Sequence, residues 1–401
     1  MDKPVRRHIV VSAVNVRKGG TLTVLRDCLG YLSTRKDLRV TALVHREDLC
    51  RFEGISYIEI PWSAKGWCRR LWCEYVTMGK ISRQIGPVNL WLSLHDTTPR
   101  VRAARQAVYC HTSFPFMKVR GRDFRMDPKI PLFAWFTKYA YRWNVRRNRR
   151  LIVQQQWMRE GLSRLTRFPA EQIIVAPPAF RNPSLPEVPV AVPPLFFFPS
   201  TPDCHKNFEL ACRAAQMLEE KLGAGRFRLL LTVGGDENRY ARWLRRRWGH
   251  IDSIRFGGFL SKEALYRTYA EASCLVFPSR SETWGLPVSE FAPTGRPMIL
   301  ADLPYARESA AGHPCCAFVP PEDAAALAAL MEEIVCGRPE HFAPVPPVRS
   351  AAPYAPSWDD VFNCLLEDED SAARYVLPHP GRCGKGHVGP HARTFRTRDR
   401  L

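Results

Sequence analysis

No stretch of this 401-residue chain approaches the ~18–20 consecutive apolar residues that a membrane-spanning helix needs. No secretory leader is expected either. The opening MDKPVRRHIVVSAVNV holds only a short apolar run, which Asn15 and Arg17 interrupt, and its β-branched residues read as a strand. C-x-x-C pairs are absent. The 13 cysteines are odd in number and scattered, so neither a disulfide framework nor a zinc ribbon is indicated. Reduced thiols of a cytoplasmic protein are the expectation. Acidic residues are scarce in one half only. Residues 1–180 hold 33 of the 59 Lys and Arg but 13 of the 39 Asp and Glu, while residues 181–401 hold 26 of each. The whole net charge of +20 thus falls on the first half. Such asymmetry points to a polyanion or an anionic membrane as the partner of one domain.

What is present is an ordinary globular composition, 45% hydrophobic and 24% charged, in which short β-rich runs alternate with helical stretches. The runs 8–14, 39–44, 88–94, 106–110 and 150–154 read as strands, and Leu22, Leu25, Leu29 and Leu32 recur at helical spacing after Gly19-Gly20. Five prolines between Pro183 and Pro194 make a stiff connector. A second series follows, with strands at 195–199, 227–233, 254–258, 273–278, 295–302 and 316–319 and helices between them. The expected class is α/β, with two consecutive doubly wound parallel sheets joined by the connector. The divisions are residues 1–182, the connector 183–194, a second domain 195–355, a helix 356–370 and a Gly-, His- and Arg-rich tail 371–401 that reads as disordered. Ligands of such sheets sit at the C-terminal ends of the strands.

The segment FPSRSETWGLPVSEFAPTGRPMILADLPYARE (277–308) carries the most chemistry. Glu282 follows a strand, Gly285-Leu286-Pro287 turns the chain into a helix, and Glu290 lies one turn on. Glycine allows close backbone approach, and free N–H groups at the turn suit a diphosphate. Carboxylates on either side suit sugar hydroxyls. This segment resembles the retaining nucleotide-sugar glycosyltransferases of family 4, with GT-B architecture: S-E-T-W-G-L-P-V-S-E matches their E-x7-E signature, and G-R-P-M-I-L-A-D-L-P with Glu308 matches the landmarks that follow. The resemblance covers about residues 8–370 and implies two Rossmann-like sheets facing each other across a cleft, with the helix 356–370 packing back on the first domain. It implies that Glu290 binds the nucleotide ribose, that Glu282 lies near the donor sugar, and that Gly285, Leu286 and Pro287 meet the diphosphate.

The resemblance also places Lys206, in PSTPDCHKNFEL, against the leaving diphosphate. The family's companion arginine is replaced by Ser200 and Thr201, so either Ser200, Thr201 or His205 helps with the phosphates or a cation from elsewhere does, Arg280 being one option. Gly258 and Phe259 belong to a loop expected at the base. Gly19 and Gly20 match the family's glycine loop facing phosphate and acceptor, and His111 matches its active-site histidine. His95 and Asp96 end the preceding strand on the acceptor side. The P-S-x-P-x-x-H-K-N form resembles a subgroup of bacterial surface-polysaccharide assembly.

In the first half, PLFAWFTKYAYRWNVRRNRR (131–150) interleaves aromatics with basic residues. Trp135, Trp143, Arg146, Arg147, Arg149 and Arg150 are expected at an anionic inner-membrane surface. No D-x-D motif occurs outside the acidic run at 368–370, and Cys383, His387 and His391 lack a fourth zinc ligand, so neither metal nor cofactor is expected. The expected partners are a nucleotide-sugar donor and a glycan or lipid-linked acceptor. Nucleic-acid binding by the basic half and a nucleotide-sugar epimerase on the same architecture are the alternatives, but no nucleic-acid module signature is present.

Overall fold

A computed structural model describes residues 6–178, 184–348 and 350–367. The expected tail, Cys383, His387, His391 and the acidic run 368–370 lie outside the described residues. Everything below belongs to one compact unit ending at Leu366.

The first half is a seven-stranded parallel sheet of β1 (Arg7–Ala13), β2 (Leu38–Val44), β3 (Ile55–Glu59), β4 (Leu90–Ser93), β5 (Arg105–Tyr109), β6 (Arg150–Val153) and β7 (Ile173–Val175), in the order β3-β2-β1-β4-β5-β6-β7. The second is a six-stranded parallel sheet of β8 (Leu195–Phe198), β9 (Arg228–Leu231), β10 (Ile254–Phe256), β11 (Cys274–Phe277), β12 (Met298–Ala301) and β13 (Cys316–Val319), in the order β10-β9-β8-β11-β12-β13. In each sheet the order reverses beside the first strand, at β1/β4 and at β8/β11, which is where a doubly wound sheet opens its crevice.

The central strands are apolar throughout because helices cover both faces. Phe196, Phe197 and Phe198 in β8 are all fully buried, each contributing about 1.5–3 kcal/mol relative to exposure. The helix Gly19–Thr34 lays Leu25, Leu29 and Leu32 against the first sheet. The late helix Trp358–Leu366 joins the same core through Phe362, Leu365 and Leu366, with Phe362 stacked on Tyr31 at 5.5 Å. The chain after the second sheet therefore returns to the first. The connector 184–194 has no regular structure.

Candidate active site

The expected site residues fall at strand C-termini on both sides of one crevice. Gly19 and Gly20 follow β1, Asp96 follows β4, His111 follows β5, Lys206 follows β8, Gly258 follows β10 and Glu282 follows β11. Gly19 has φ +70° and opens its helix through a left-handed turn that suits glycine. A methyl group added to Gly20 would stand 3.9 Å from Leu286 Cδ1. The glycine loop of the first half and the G-L-P turn of the second thus face each other directly. Ser113 and Ser281 meet beside them, Oγ to Oγ at 2.8 Å.

Lys206 Nζ donates to Glu282 Oε1 at 2.6 Å, with the two side chains 15% and 13% exposed. The pair is shielded but still reachable from the crevice, so a diphosphate entering here meets a cation already desolvated on one side. Gly285, at φ +84°, makes the turn that follows, over Phe277 and Tyr305. Tyr305 donates its hydroxyl to the Ser279 carbonyl at 2.8 Å, which fixes the floor of the turn. Glu290 lies half-buried; its Oε2 accepts from the Tyr269 hydroxyl at 2.8 Å. Burial pushes its carboxyl above the ordinary value, and the Tyr269 hydrogen bond and Lys262 pull back.

His111 stacks on Tyr109 at 4.5 Å. Its Nε2 is buried without a hydrogen-bond partner among the described residues, and burial lowers its pKa from the usual histidine value. A buried ring nitrogen left unpaired is costly, so it is a natural contact for a hydroxyl.

Asp96 and His95 are each held in a hydrogen-bond network of the first half. Asp96, at φ +70°, accepts from the backbone N–H of His111 (2.5 Å) and Thr112 (3.1 Å) and from the Tyr141 hydroxyl (3.0 Å). It holds the loop after β5 in shape. His95 is 1% exposed and contacts Ser12 and Ser93 through Nε2 and Thr97 through Nδ1. Glu74 lies 3.3 Å from His95 Nδ1 and 2.8 Å from Arg70 Nε. Burial raises the Glu74 pKa, but His95, Arg70 and the Thr97 hydroxyl outweigh it and bring it to about 2. Sequence reading missed Glu74, whose only local signal is an ordinary i,i+4 pairing with Arg70.

Arg280 is not free for a phosphate in this structure. Its terminal nitrogens hold Asp123 at 2.6 and 3.1 Å, and Nη2 also donates to the Cys204 carbonyl at 3.0 Å. A bidentate partner of opposite charge outcompetes an open crevice for a guanidinium. Thr201 donates its hydroxyl to Asp203 at 2.6 Å, and the Ser200 N–H is held by Thr232 Oγ1 at 2.7 Å. His205 is buried against the Phe114 ring at 5.1 Å. Lys206 is therefore the cation of the expected phosphate group that stands beside Glu282. Gly258 adopts φ +70°, and Phe259 after it is 94% exposed. Glu308 sits across the halves, its carboxylate accepting from the N–H groups of Gln156 (2.8 Å) and Trp157 (2.7 Å).

The expected membrane set divides. Trp135 and Trp143 are 55% and 63% exposed. Arg147 and Arg149 instead line, with Arg105 and Asn148, a cavity of about 440 Å³ at the strands' N-terminal ends. Arg147 donates to the Val101 carbonyl at 3.3 Å and Arg150 to that of Glu171 at 3.0 Å, while Arg146 is exposed. The strand β6 begins at Arg150 and draws these arginines to the edge opposite the crevice.

Residues 193–336 match the family model described as glycosyl transferases group 1. No curated protein is matched. Among solved structures, the chain is similar to sucrose-phosphate synthase from Thermosynechococcus elongatus, at 18% identity over 82% of this chain and 90% of that one, with a TM-score of 0.57. HepE from Anabaena, in complex with UDP-glucose, shares 12% identity over 82% and 90%, with a TM-score of 0.54. WaaG, a glycosyltransferase involved in lipopolysaccharide biosynthesis, shares 12% identity over 82% and 90%, with a TM-score of 0.56. The two facing Rossmann-like sheets are the GT-B fold, and the match across the second half supports a glycosyltransferase.

Proposed function

We propose that this protein transfers a sugar, with retention of configuration, from a nucleotide-sugar donor to a glycan or lipid-linked acceptor in the assembly of a bacterial surface polysaccharide. The observation that carries the reading is the shielded Lys206–Glu282 pair beside a G-L-P turn that faces the glycine loop across the crevice.

In this reading the diphosphate lies between Gly19-Gly20 and Gly285-Leu286. Lys206 stabilises the charge that grows on it as the glycosidic bond breaks, the kind of electrostatic effect that is usually the largest in catalysis. Glu282, already held by Lys206, accepts from a donor-sugar hydroxyl. Glu290 takes the ribose hydroxyls, and Phe259 lies at the base. His111 Nε2 contacts the donor sugar or the incoming hydroxyl. The acceptor attacks from the face that the diphosphate leaves, and the diphosphate takes its proton. No metal or other cofactor is invoked. The protein works at the inner face of the plasma membrane, with the basic half toward the lipid.

A thermal-shift and hydrolysis panel of nucleoside diphosphates and their sugars tests this. At least one diphosphate should stabilise the protein. Glu290→Ala should weaken it about 10- to 150-fold, the loss expected for hydrogen bonds to a charged group at about 1.5–3 kcal/mol. Stabilisation by none of the panel refutes the function, and an unchanged Glu290→Ala variant refutes the site.

A further inference from the structure

The helix Lys129–Arg142 lies in sequence between β5 and β6, yet its first turns are anchored in the other half, while Tyr141 near its end stays in the core of the first. Met117, Met126, Ile130 and Ala134 are buried in the hydrophobic core of the second sheet. The segment Met117–Ala134 is a strap from one half into the other.

The outer side of the same helix is apolar and uncovered. Trp135, Phe136 and Tyr139 are 55–57% exposed, followed by Trp143. The neighbouring helix Trp67–Trp72 extends the surface with Trp67 and Trp72, also at least half exposed, and Trp67 lies 5.5 Å from Phe133. A continuous aromatic surface of this kind marks an interaction site. Lys65, Arg69, Arg125, Lys129 and Arg142 are exposed on these segments. Aromatic rings that carry an apolar body and a polar edge, among cations, complement the headgroup region of an anionic bilayer.

The strap also touches the loops of the crevice. Asp123, on its short helix Gly121–Met126, holds Arg280, and both side chains are nearly dry at 2% and 4% exposure. Arg280 stands two residues before Glu282 and bonds the carbonyl of Cys204, two residues before Lys206. One buried ion pair therefore connects the aromatic surface to both members of the Lys206–Glu282 pair.

We infer that the aromatic surface docks on an anionic bilayer and that docking is transmitted through Asp123 and Arg280, as positioning residues, to the loops bearing Lys206 and Glu282. The inference rests on the membrane location proposed above, and it adds that the membrane-bound protein holds these loops more firmly than the free protein does.

The test uses the full chain with vesicles of phosphatidylglycerol or of phosphatidylcholine alone. Flotation reads docking, and amide hydrogen exchange of peptides spanning 200–210 and 279–290 reads transmission. The protein should float with phosphatidylglycerol only, and exchange in both peptides should slow several-fold. Trp135→Ser/Phe136→Ser should lose flotation and slowing together. Asp123→Leu/Arg280→Met, which removes both charges at once, should float as before with the slowing gone. If this variant keeps the slowing, the transmission is refuted while docking stands. If the native chain ignores phosphatidylglycerol, or is retained by RNA in its place, the docking is refuted. Neither result touches diphosphate binding, on which the catalytic proposal is judged.

Discussion

Removing one partner of the Asp123–Arg280 pair should be among the costliest single changes in the molecule. The two side chains are 2% and 4% exposed and joined at 2.6 and 3.1 Å, so solvent screens neither. Arg280→Met leaves the Asp123 carboxylate buried with, among the described residues, the Arg120 N–H at 2.8 Å, and the expected cost is about 3–5 kcal/mol. Asp123→Leu strands the guanidinium and also deletes that helix cap, which is worth about 1 kcal/mol more. The double variant removes both charges and should be at least ~2 kcal/mol less destabilised than Asp123→Leu, because the desolvation penalty of an unpaired ion disappears with the ion. The comparison is the Arg120–Glu322 pair, whose glutamate is 69% exposed, so Glu322→Ala should cost no more than about 1 kcal/mol. Urea unfolding of the four variants measures all of this. If Arg280→Met costs no more than Glu322→Ala, the pair is not the buried clamp described and the reasoning fails.

Lys206→Met should lower kcat about 100- to 1000-fold, the loss typical of one preorganised charge-stabilising group, with a smaller change in KM; steady-state kinetics with the donor identified by the panel would show it. His205 should make the fold acid-sensitive. Burial, with Lys206 and Arg280 nearby, lowers its pKa well below 6.5, so its contribution is present above pH 6.5 and is lost as pH falls toward the lowered value, at about 1.4 kcal/mol per pH unit per proton. Unfolding midpoints measured in this window should flatten in His205→Phe, whereas Glu74, at about 2, acts only in stronger acid; an unflattened slope would assign the effect to other histidines.

The architecture was largely legible in the sequence. The strand runs and the Pro-rich connector place both sheets, because buried parallel strands are written as unbroken apolar stretches. β3 and β7 escaped: ISYIE alternates at an edge, and IIV is too short to stand out. The E-x7-E segment could be singled out because its residues are contiguous in 277–308. Asp123, Glu74 and the strap were not, since their partners lie 157, 21 and more residues away and no local period announces a long-range pairing. The same limit explains Arg280, whose position beside Glu282 suggested a phosphate ligand until its distant carboxylate partner came into view.

The return of the chain to the first sheet has a mechanical consequence. Arg7 Nη1 reaches the Leu366 carbonyl at 3.5 Å, so the six-stranded half is an insertion within the other: Ala176 still bonds the first sheet and Leu185 already packs on the second core, and Val345 still bonds His313 while the Ala351 carbonyl is held by Arg159 of the first half. The strap Met117–Ala134 is a further attachment, and a swing about the two ends of the insertion alone would have to pull Met117, Met126, Ile130 and Ala134 out of the second half's close-packed core.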